Sequence, residues 1–360
     1  MPEIHPALRR AGCWFLCSGI QETNGGVARY YLAREGRNAP VSTEITGYAT
    51  SALVYLAEKT GEERFLDCAV RAARFLTRAA WDRECLAMPF EIAANGTKPP
   101  TYFFDCGIIA RGLLAAWRAT QDEELLDAAV ACGRSMARDF VENGVAHPIL
   151  TLPDKKPLPW EARWSRGPGC YQLKSAMAWH DLTEATGSRE WAPYYEESVR
   201  IALRGHEAFL PGSEDLEKVM DRLHAYCYFL EGLLPVADRR ESQEALSSGI
   251  TRTSNWLRRI APVFVRSDVY AQLLRVRLYA SALGKAPLDG QAAREEAESL
   301  ARFQCDAGEP HLRDGFWFGV KQGAELPFMN PVSTAFAMQA LEAWREHTDG
   351  EFRARRAELI

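Results

Sequence analysis

The chain has 360 residues, 47% apolar and 25% charged, an ordinary globular mixture that can bury a large core. Its formal net charge of -5 gives no electrostatic reason to expect nucleic acid as a partner. No apolar run approaches the roughly 18 residues of a membrane span, the first residues lack the charged-then-apolar layout of a secretion signal, and the nine scattered cysteines read as reduced thiols, so a cytoplasmic protein is expected.

The first element, "PALRRAGCWFLCSGI", reads as a helix without a partner. Cys13 and Cys17 lie on one face of it, but no second Cys/His pair follows at zinc-site spacing, and no metal is expected there. "GVARYYLA" reads as a short β-hairpin at the rim. Then comes the repeat that organises the chain. "YLAEKTGEERFLDCAVRAARFL", "AWRATQDEELLDAAVACGRSM" and "DLTEATGSREWAPYYEESVRIAL" each end one helix, turn through a threonine-centred polar patch, and start another. The turn threonines are Thr60, Thr120 and Thr186. Acidic residues open each following helix, where the N-terminal dipole favours negative charge.

Between the second and third repeats, residues 143–169 are rich in proline and read as one long irregular segment, of a length usually tied to function. Further on, "HAYCYFLEGLLPVADRRESQEALSSGITRTSNWL" and "VYAQLLRVRLYASALGKAPLDGQAAREEAESLARFQ" read as a fourth and fifth hairpin. "DGFWFGV" reads as a short β-hairpin at the rim and "NPVSTAFAMQALEAWREH" as a last helix. If the first and last helices pair, about twelve helices make about six hairpins. The expectation is therefore all-α, a single (α/α)6 toroid domain over residues 1–360 with its terminal helices closing the ring. An open α-solenoid is the other arrangement of the same hairpins.

The first helix of each hairpin is rich in small residues, such as Gly47, Ala49 and Ala52, or Gly107, Ala110 and Gly112. Mid-helix glycine costs about 1 kcal/mol against alanine, so close backbone approach is its expected reason. These are the inner helices. The second helices carry charged stripes such as Arg64, Asp67, Arg71 and Arg78, the mark of an outer, solvated face.

In a ring, the N-termini of the inner helices gather at one end. Their opening stretches are "VSTEITGY", "TYFFDCGI", "GPGCYQLK", "VMDRLHAY", "VRSDVYAQ" and "MNPVSTAF". They bring Glu44, Tyr48, Asp105, Tyr171, Asp221, His224, Asp268, Tyr270, Asn330 and Ser333. Helix capping explains many of these, Asp268 and Asn330 in particular. Asp105 fits capping less well. It is a carboxylate set in apolar sequence, where burial raises its pKa as a general acid requires. With Glu44 it would form a carboxylate pair across one pocket, the equipment of glycosidic cleavage.

The segment "LPWEARWSRGPGCY" gathers Trp160, Arg163, Trp164, Arg166 and Tyr171. Aromatic faces stack on sugar rings and arginine forks recognise carboxylates. "RDGFWFG" adds Asp314, Phe316 and Trp317, and "NGGVARYY" adds Arg29, Tyr30 and Tyr31. The other reading of these aromatics is a plug at the barrel end. There is no phosphate-cradling loop, dinucleotide fingerprint or G-x-S-x-G elbow, and no cofactor is expected.

Taken together, the hairpin period, "TGEERFLDCAVRAARFL" and "DGFWFG…NPVSTAFAMQALEAW" resemble the α/α-toroid group, which includes six-hairpin glycosidases, toroid polysaccharide lyases and terpenoid cyclases. Within it, "YFFDCGIIARGLLAAWRATQDEELLDAA" looks like the region of unsaturated glucuronyl and rhamnogalacturonyl hydrolases that bears their catalytic aspartate, matched by Asp105. "TEITGY" is similar to their acidic stretch before the preceding inner helix, matched by Glu44, with Thr46 as one residue more than the family's order.

The resemblance implies a carbohydrate-active enzyme, first of all a glycoside hydrolase. In it Asp105 is general acid/base, Glu44 the second carboxylate, and His224 and Arg163 orient an oligosaccharide or polysaccharide fragment, possibly uronate-containing. Trp160, Trp164 and Trp317 are its expected stacking walls, and Tyr48, Tyr171, Asp221, Tyr270 and Asn330 further substrate contacts. Toroid lyases use Tyr, His and Arg or Asn around a uronate, and Tyr171, His224, Arg163 and Asn330 could supply that set. Lyase or epimerase chemistry is thus the alternative, and a non-catalytic glycan-binding protein a third reading.

Overall fold

The structure, a computed structural model, describes residues 4–92, 98–210, 215–261 and 263–360. Among the described residues, twelve α-helices carry the fold: α1 Pro6–Cys17, α2 Thr43–Thr60, α3 Glu63–Arg74, α4 Phe103–Thr120, α5 Glu123–Ser135, α6 Leu173–Thr186, α7 Ala192–Phe209, α8 Leu216–Leu233, α9 Arg240–Ile260, α10 Ser267–Ala282, α11 Gly290–Ala301 and α12 Pro331–Thr348.

The repeated threonine turn has one physical cause. Thr60 Oγ1 donates back to the Leu56 carbonyl at 2.7 Å and accepts from the Glu62 amide at 3.2 Å. Thr120 does the same with Ala116 and Asp122, and Thr186 with Leu182 and Ser188. Each hydroxyl thereby bonds back to the carbonyl four residues earlier in the ending helix and takes up one amide of the chain that follows it. The residue after each threonine is left-handed: Gly61 at φ 70°, Gln121 at φ 58° and Gly187 at φ 68°. Gln121 takes this conformation without being glycine, the more costly choice at that position.

Two compact units are distinguishable: residues 21–29 and 40–204 in one, the remainder in the other. In the first, α2 packs on α3 and α4 on α5, and the small-residue helices α2, α4 and α6 pack side by side. A Cβ on Gly112 would collide with the Gly47 carbonyl oxygen, and a Cβ on Gly107 with Ser175. Glycine at these positions therefore allows the inner helices to touch backbone to backbone. Outer helices bury one stripe, as α3 does with Phe65, Cys68, Ala69, Ala72 and Ala73. In the second unit α8 packs on α9 and α10 on α11, α10 packs on α12, and α1 lies against α12. The orphan terminal helices thus pair, as the sequence led one to expect.

The strands are short. Tyr31–Leu32 pairs with Arg37–Asn38 and with Phe328–Met329, and Phe264–Arg266 pairs with Gly319–Lys321. Residues 143–169 are more ordered than expected. Ile149–Leu150 pairs with Thr101–Tyr102, Val145–Ala146 with Val141–Glu142, and a 3-10 turn spans Trp164–Arg166. A second correction concerns α8. It begins at Leu216, N-capped by Asp215, rather than near Asp221. His224 is therefore in the third turn of that helix instead of its opening.

Candidate active site

Within the first unit, short backbone pairings bring the openings of α2 and α4 together. Ser42 caps α2, accepting from the Ile45 amide, and Glu44 follows in the first turn. Thr43 Oγ1 donates to the Pro89 carbonyl at 2.8 Å, while Thr101 Oγ1 donates to the Met88 carbonyl at 2.7 Å. One extended segment thus ties both helix starts. A further strand runs along residues 40–42, with the Arg29 amide donating to the Pro40 carbonyl at 3.1 Å, and delivers the Arg29 side chain. Its guanidinium is paired with Glu91 and lies 4.4 Å over the Phe90 ring.

These elements place Glu44, Asp105 and Arg29 in one electrostatic neighbourhood. Asp105 is only 5% exposed, and its Oδ2 has no hydrogen-bond partner among the described residues. Burial drives its pKa well above the usual carboxylate range, and the neighbouring Glu44 pushes it further, against the opposing pull of Arg29. Glu44 is raised by burial to about 7, again with Arg29 pulling it down. Two interacting carboxyls of this kind share protons at neutral pH rather than both ionising.

An aromatic wall continues from Asp105. Phe104 meets the Tyr171 ring at 6.1 Å, and Trp164 meets Tyr171 edge-on at 5.0 Å. The Tyr171 hydroxyl donates to the Gly167 carbonyl at 3.1 Å, and burial raises its pKa. Phe90 and Tyr102 lie 5.3 Å apart. The Tyr102 phenol is raised first by burial and then by Asp105, and is opposed by Arg166, Arg29 and Arg163, so all four charges act on it. Tyr48, one turn after Glu44, is buried. Trp160 is 57% exposed and has His147 as its ring neighbour at 6.1 Å.

The second unit holds a separate constellation. Arg266 grips Asp268 with two hydrogen bonds of 3.0 and 2.6 Å, and reaches Asp221 at 2.8 Å. Its guanidinium lies 4.5 Å over the Phe318 ring. His224 Nδ1 is 2.7 Å from Gln272 Oε1 and 3.3 Å from Asp268 Oδ2. Burial lowers the His224 pKa to about 4, outweighing the attraction of Asp268. Asp268 itself stays below its usual value because Arg266 and His224 outweigh the effect of burial. The neutral ring donates Nδ1–H to Gln272, and its Nε2 is the basic atom. Gln272 Nε2 is fully buried with no hydrogen-bond partner among the described residues.

Several expected site residues do other work. Tyr270 turns toward the end of α11, its ring 6.2 Å from Phe303, and burial raises its phenol pKa. Asn330 accepts from the Val332 and Ser333 amides as the cap of α12, which is the capping reading. Asp314 is ion-paired with Arg10, and Phe316 is a fully buried plug. In "DGFWFG" the ring that meets a charged group is Phe318, which sequence reasoning passed over. Trp317 is half-buried and its carbonyl accepts from Ser267. Asp268 carries more than a cap, and Arg266, two residues before it, was the signal for that pairing. Lys174, wholly buried near the start of α6, also went unremarked. Among the described residues the group His180, Asp181 and Glu184 is close enough to hold a cation, but Asp181 is committed to Arg111 at 2.8 Å.

The fold defines the class: an α/α toroid, as the hairpin repeat implied. No family model matches the sequence, and no curated protein matches it. Solved structures do match. A cellobiose 2-epimerase from Spirochaeta thermophila superposes over 96% of this chain and 99% of its own, with TM-score 0.71 and 16% identity. A D-mannose isomerase covers 93% of this chain and 94% of its own, with TM-score 0.70 and 9% identity. An inactive variant of an α-1,6-mannanase from Salegentibacter, altered at two aspartates and bound to α-1,6-mannotetrose, covers 94% of this chain and 98% of its own, with TM-score 0.60 and 10% identity.

Proposed function

We propose that this chain is a carbohydrate-active enzyme in which Asp105 and Glu44 move the proton, and that its reaction is glycoside hydrolysis. The observation that carries this reading is the Asp105 carboxyl: buried, with Oδ2 unpartnered among the described residues, and pushed up in pKa by burial and by the Glu44 carboxyl. A structural carboxylate is normally hydrogen-bonded when buried, and an isolated one is costly. Here burial raises the Asp105 pKa, the direction a general acid needs in order to donate to a glycosidic oxygen. Glu44, near neutrality, is the member that can ionise and act on water or on the anomeric carbon. Trp164, half-buried beside the buried Tyr171, supplies an aromatic face suited to a sugar ring. The fold is one on which a mannanase is built, and the hydrolytic reading agrees with that likeness.

A second reading, epimerisation or isomerisation at a carbon next to a carbonyl, is favoured by His224. Its neutral ring, with Nδ1–H held by Gln272 and Nε2 basic, is the form that abstracts a proton. The cellobiose 2-epimerase and D-mannose isomerase share the fold. Products decide between the two. Release of a shorter sugar supports hydrolysis, solvent deuterium appearing at C2 with no bond cleavage supports the second reading, and an ultraviolet-absorbing unsaturated product supports a lyase. A protein that binds glycan and turns over nothing would match the non-catalytic reading. Among the described residues no helix is long and apolar enough to cross a membrane. None of the nine cysteines is in a disulfide, which suits a reducing cytoplasmic setting.

A further inference from the structure

We propose that Arg29 and Glu91 are positioning residues for the acid pair: Glu91 holds the Arg29 guanidinium on the Phe90 ring, from where its charge acts on Glu44 and Asp105 without a hydrogen bond to either. This rests on the reading of Asp105 and Glu44 as the reacting centre and adds what fixes the charge that faces it. Three segments lie side by side at the opening of α2. The middle one, residues 40–42, ends in the Ser42 cap. On one side Ala28 pairs with Val41, the Arg29 amide donates to the Pro40 carbonyl at 3.1 Å, and the Ser42 amide donates to the Val27 carbonyl at 3.1 Å. On the other side Ser42 pairs with Glu91, and the Thr43 amide donates to the Phe90 carbonyl at 3.2 Å. The Arg29–Glu91 ion pair therefore bridges the two outer segments across the middle one, beside the helix start that carries Glu44.

Both ends of that bridge are held in place. The Val27 amide donates to Thr46 Oγ1 at 2.9 Å, which ties the Arg29 segment to the first turn of α2. The guanidinium lies 4.4 Å over the Phe90 ring, and Phe90 meets Tyr102, the N-cap residue of α4, at 5.3 Å. Asp105 follows in the first turn of that helix. Arg29 Nε is buried with no hydrogen-bond partner among the described residues, and the same holds for Asp105 Oδ2. The cation and the carboxyl thus feel each other's charge but are not joined.

The charges show why the counter-ion matters. An arginine stays charged at every working pH. Without a partner of its own it would pair with a neighbouring carboxyl and hold that group ionised. Glu91 takes that place. Arg29 then lowers Glu44 and Asp105 only in part, and burial keeps both above the ordinary carboxylate range. The other titratable groups that face Asp105 are Tyr102, Cys106 and Tyr171, each raised by burial and neutral near pH 7, with Arg163 and Arg166 acting on Tyr102. Among the described residues Arg29 is the cation that acts on both carboxyls of the pair.

The test is a pH titration by carbon NMR of the intact protein, isotope-labelled at its glutamate carboxyls, with the Glu44 signal assigned as the one missing in Glu44→Gln. No substrate is needed. The Glu44 midpoint, about 7 in the wild type, should rise by about one pH unit or more in Arg29→Gln and fall by about one or more in Glu91→Gln. The Arg29→Gln/Glu91→Gln double variant should behave as Arg29→Gln does, because Glu91 acts through Arg29. Arg29→Lys keeps the charge and should return most of the way to the wild type. If Glu91→Gln leaves the midpoint within about 0.3 of a pH unit or raises it, or if the double variant falls as Glu91→Gln does, the proposal is overturned and the ion pair is only a brace between segments. If Arg29→Gln does not fold, the Glu91→Gln midpoint decides alone. A failure of the proton-transfer reading is seen separately, as turnover surviving in Asp105→Asn, and leaves the order of these midpoints unchanged.

Discussion

Gln272 Oε1 lies 2.7 Å from His224 Nδ1, and this contact decides which ring nitrogen carries the proton. An amide oxygen can only accept, so the neutral ring is protonated at Nδ1 and basic at Nε2. Long-range proton–nitrogen NMR should show one tautomer and a ring that stays neutral down to about pH 5, consistent with a pKa near 4. A ring that titrates near 6.5 in the wild type would contradict the assignment.

Arg266 and Asp268 are both buried and held by two hydrogen bonds. Removing one partner leaves an uncompensated charge, so Arg266→Met should cost about 3–5 kcal/mol in urea unfolding. The Arg266→Met/Asp268→Asn double variant should recover more than half of that loss. A double variant as unstable as the single one would show that the cost lies in packing on Phe318 instead.

The inner helices set up a contrast between two glycines. Gly112→Ala forces a methyl group into the Gly47 carbonyl and should destabilise by about 2–3 kcal/mol. Gly205 is inside α7 with nothing within 4 Å of an added Cβ. Gly205→Ala should therefore stabilise by about 0.5–1 kcal/mol through helix propensity. Thermal unfolding of both variants checks the pair. Similar shifts in the same direction would contradict the close approach of α2 and α4.

Glu44 gives stability a pH dependence. Its folded pKa, about 7, is above the ordinary carboxylate value, so the folded chain holds that proton more tightly than the unfolded chain does. Stability from this group is therefore fully present below about pH 4 and declines as pH rises toward 7, by up to about 3 kcal/mol. Glu44→Gln should flatten that decline in urea midpoints measured across the range. The same group should give kcat/KM a rise with pH near 7, absent in Glu44→Gln. An unchanged pH profile in the variant would remove Glu44 from both roles.

Legibility in the sequence followed how local the cause was. Thr60, Thr120 and Thr186 each act within six residues, so the hairpin period and its turns could be read directly. Gly107 and Gly112 signalled close approach because mid-helix glycine costs about 1 kcal/mol against alanine and both stand among other small residues on one inner helix. Asp105 stood out because its neighbours in the chain are apolar and those neighbours bury it. By contrast, Tyr270 was misplaced because helix phase, rather than nearness to the N-terminus, decides whether a side chain faces α11. His224 was set too near a helix start because Glu217 and Lys218 make the first turn of α8 read as part of the polar stretch before it. The roles of Arg29 and Arg266 depend on strand pairings between distant segments, and periodicity within one segment does not record these.

The most direct test of the central claim is the turnover of an oligosaccharide panel by Asp105→Asn, measured beside the wild type with product analysis and a thermal unfolding curve for each. The variant should lose at least about a hundredfold to a thousandfold in kcat while unfolding at the same temperature or higher, since a buried carboxyl has been replaced by a neutral isostere. An Asp105→Asn enzyme that turns over within about tenfold of the wild type would contradict Asp105 as the proton donor.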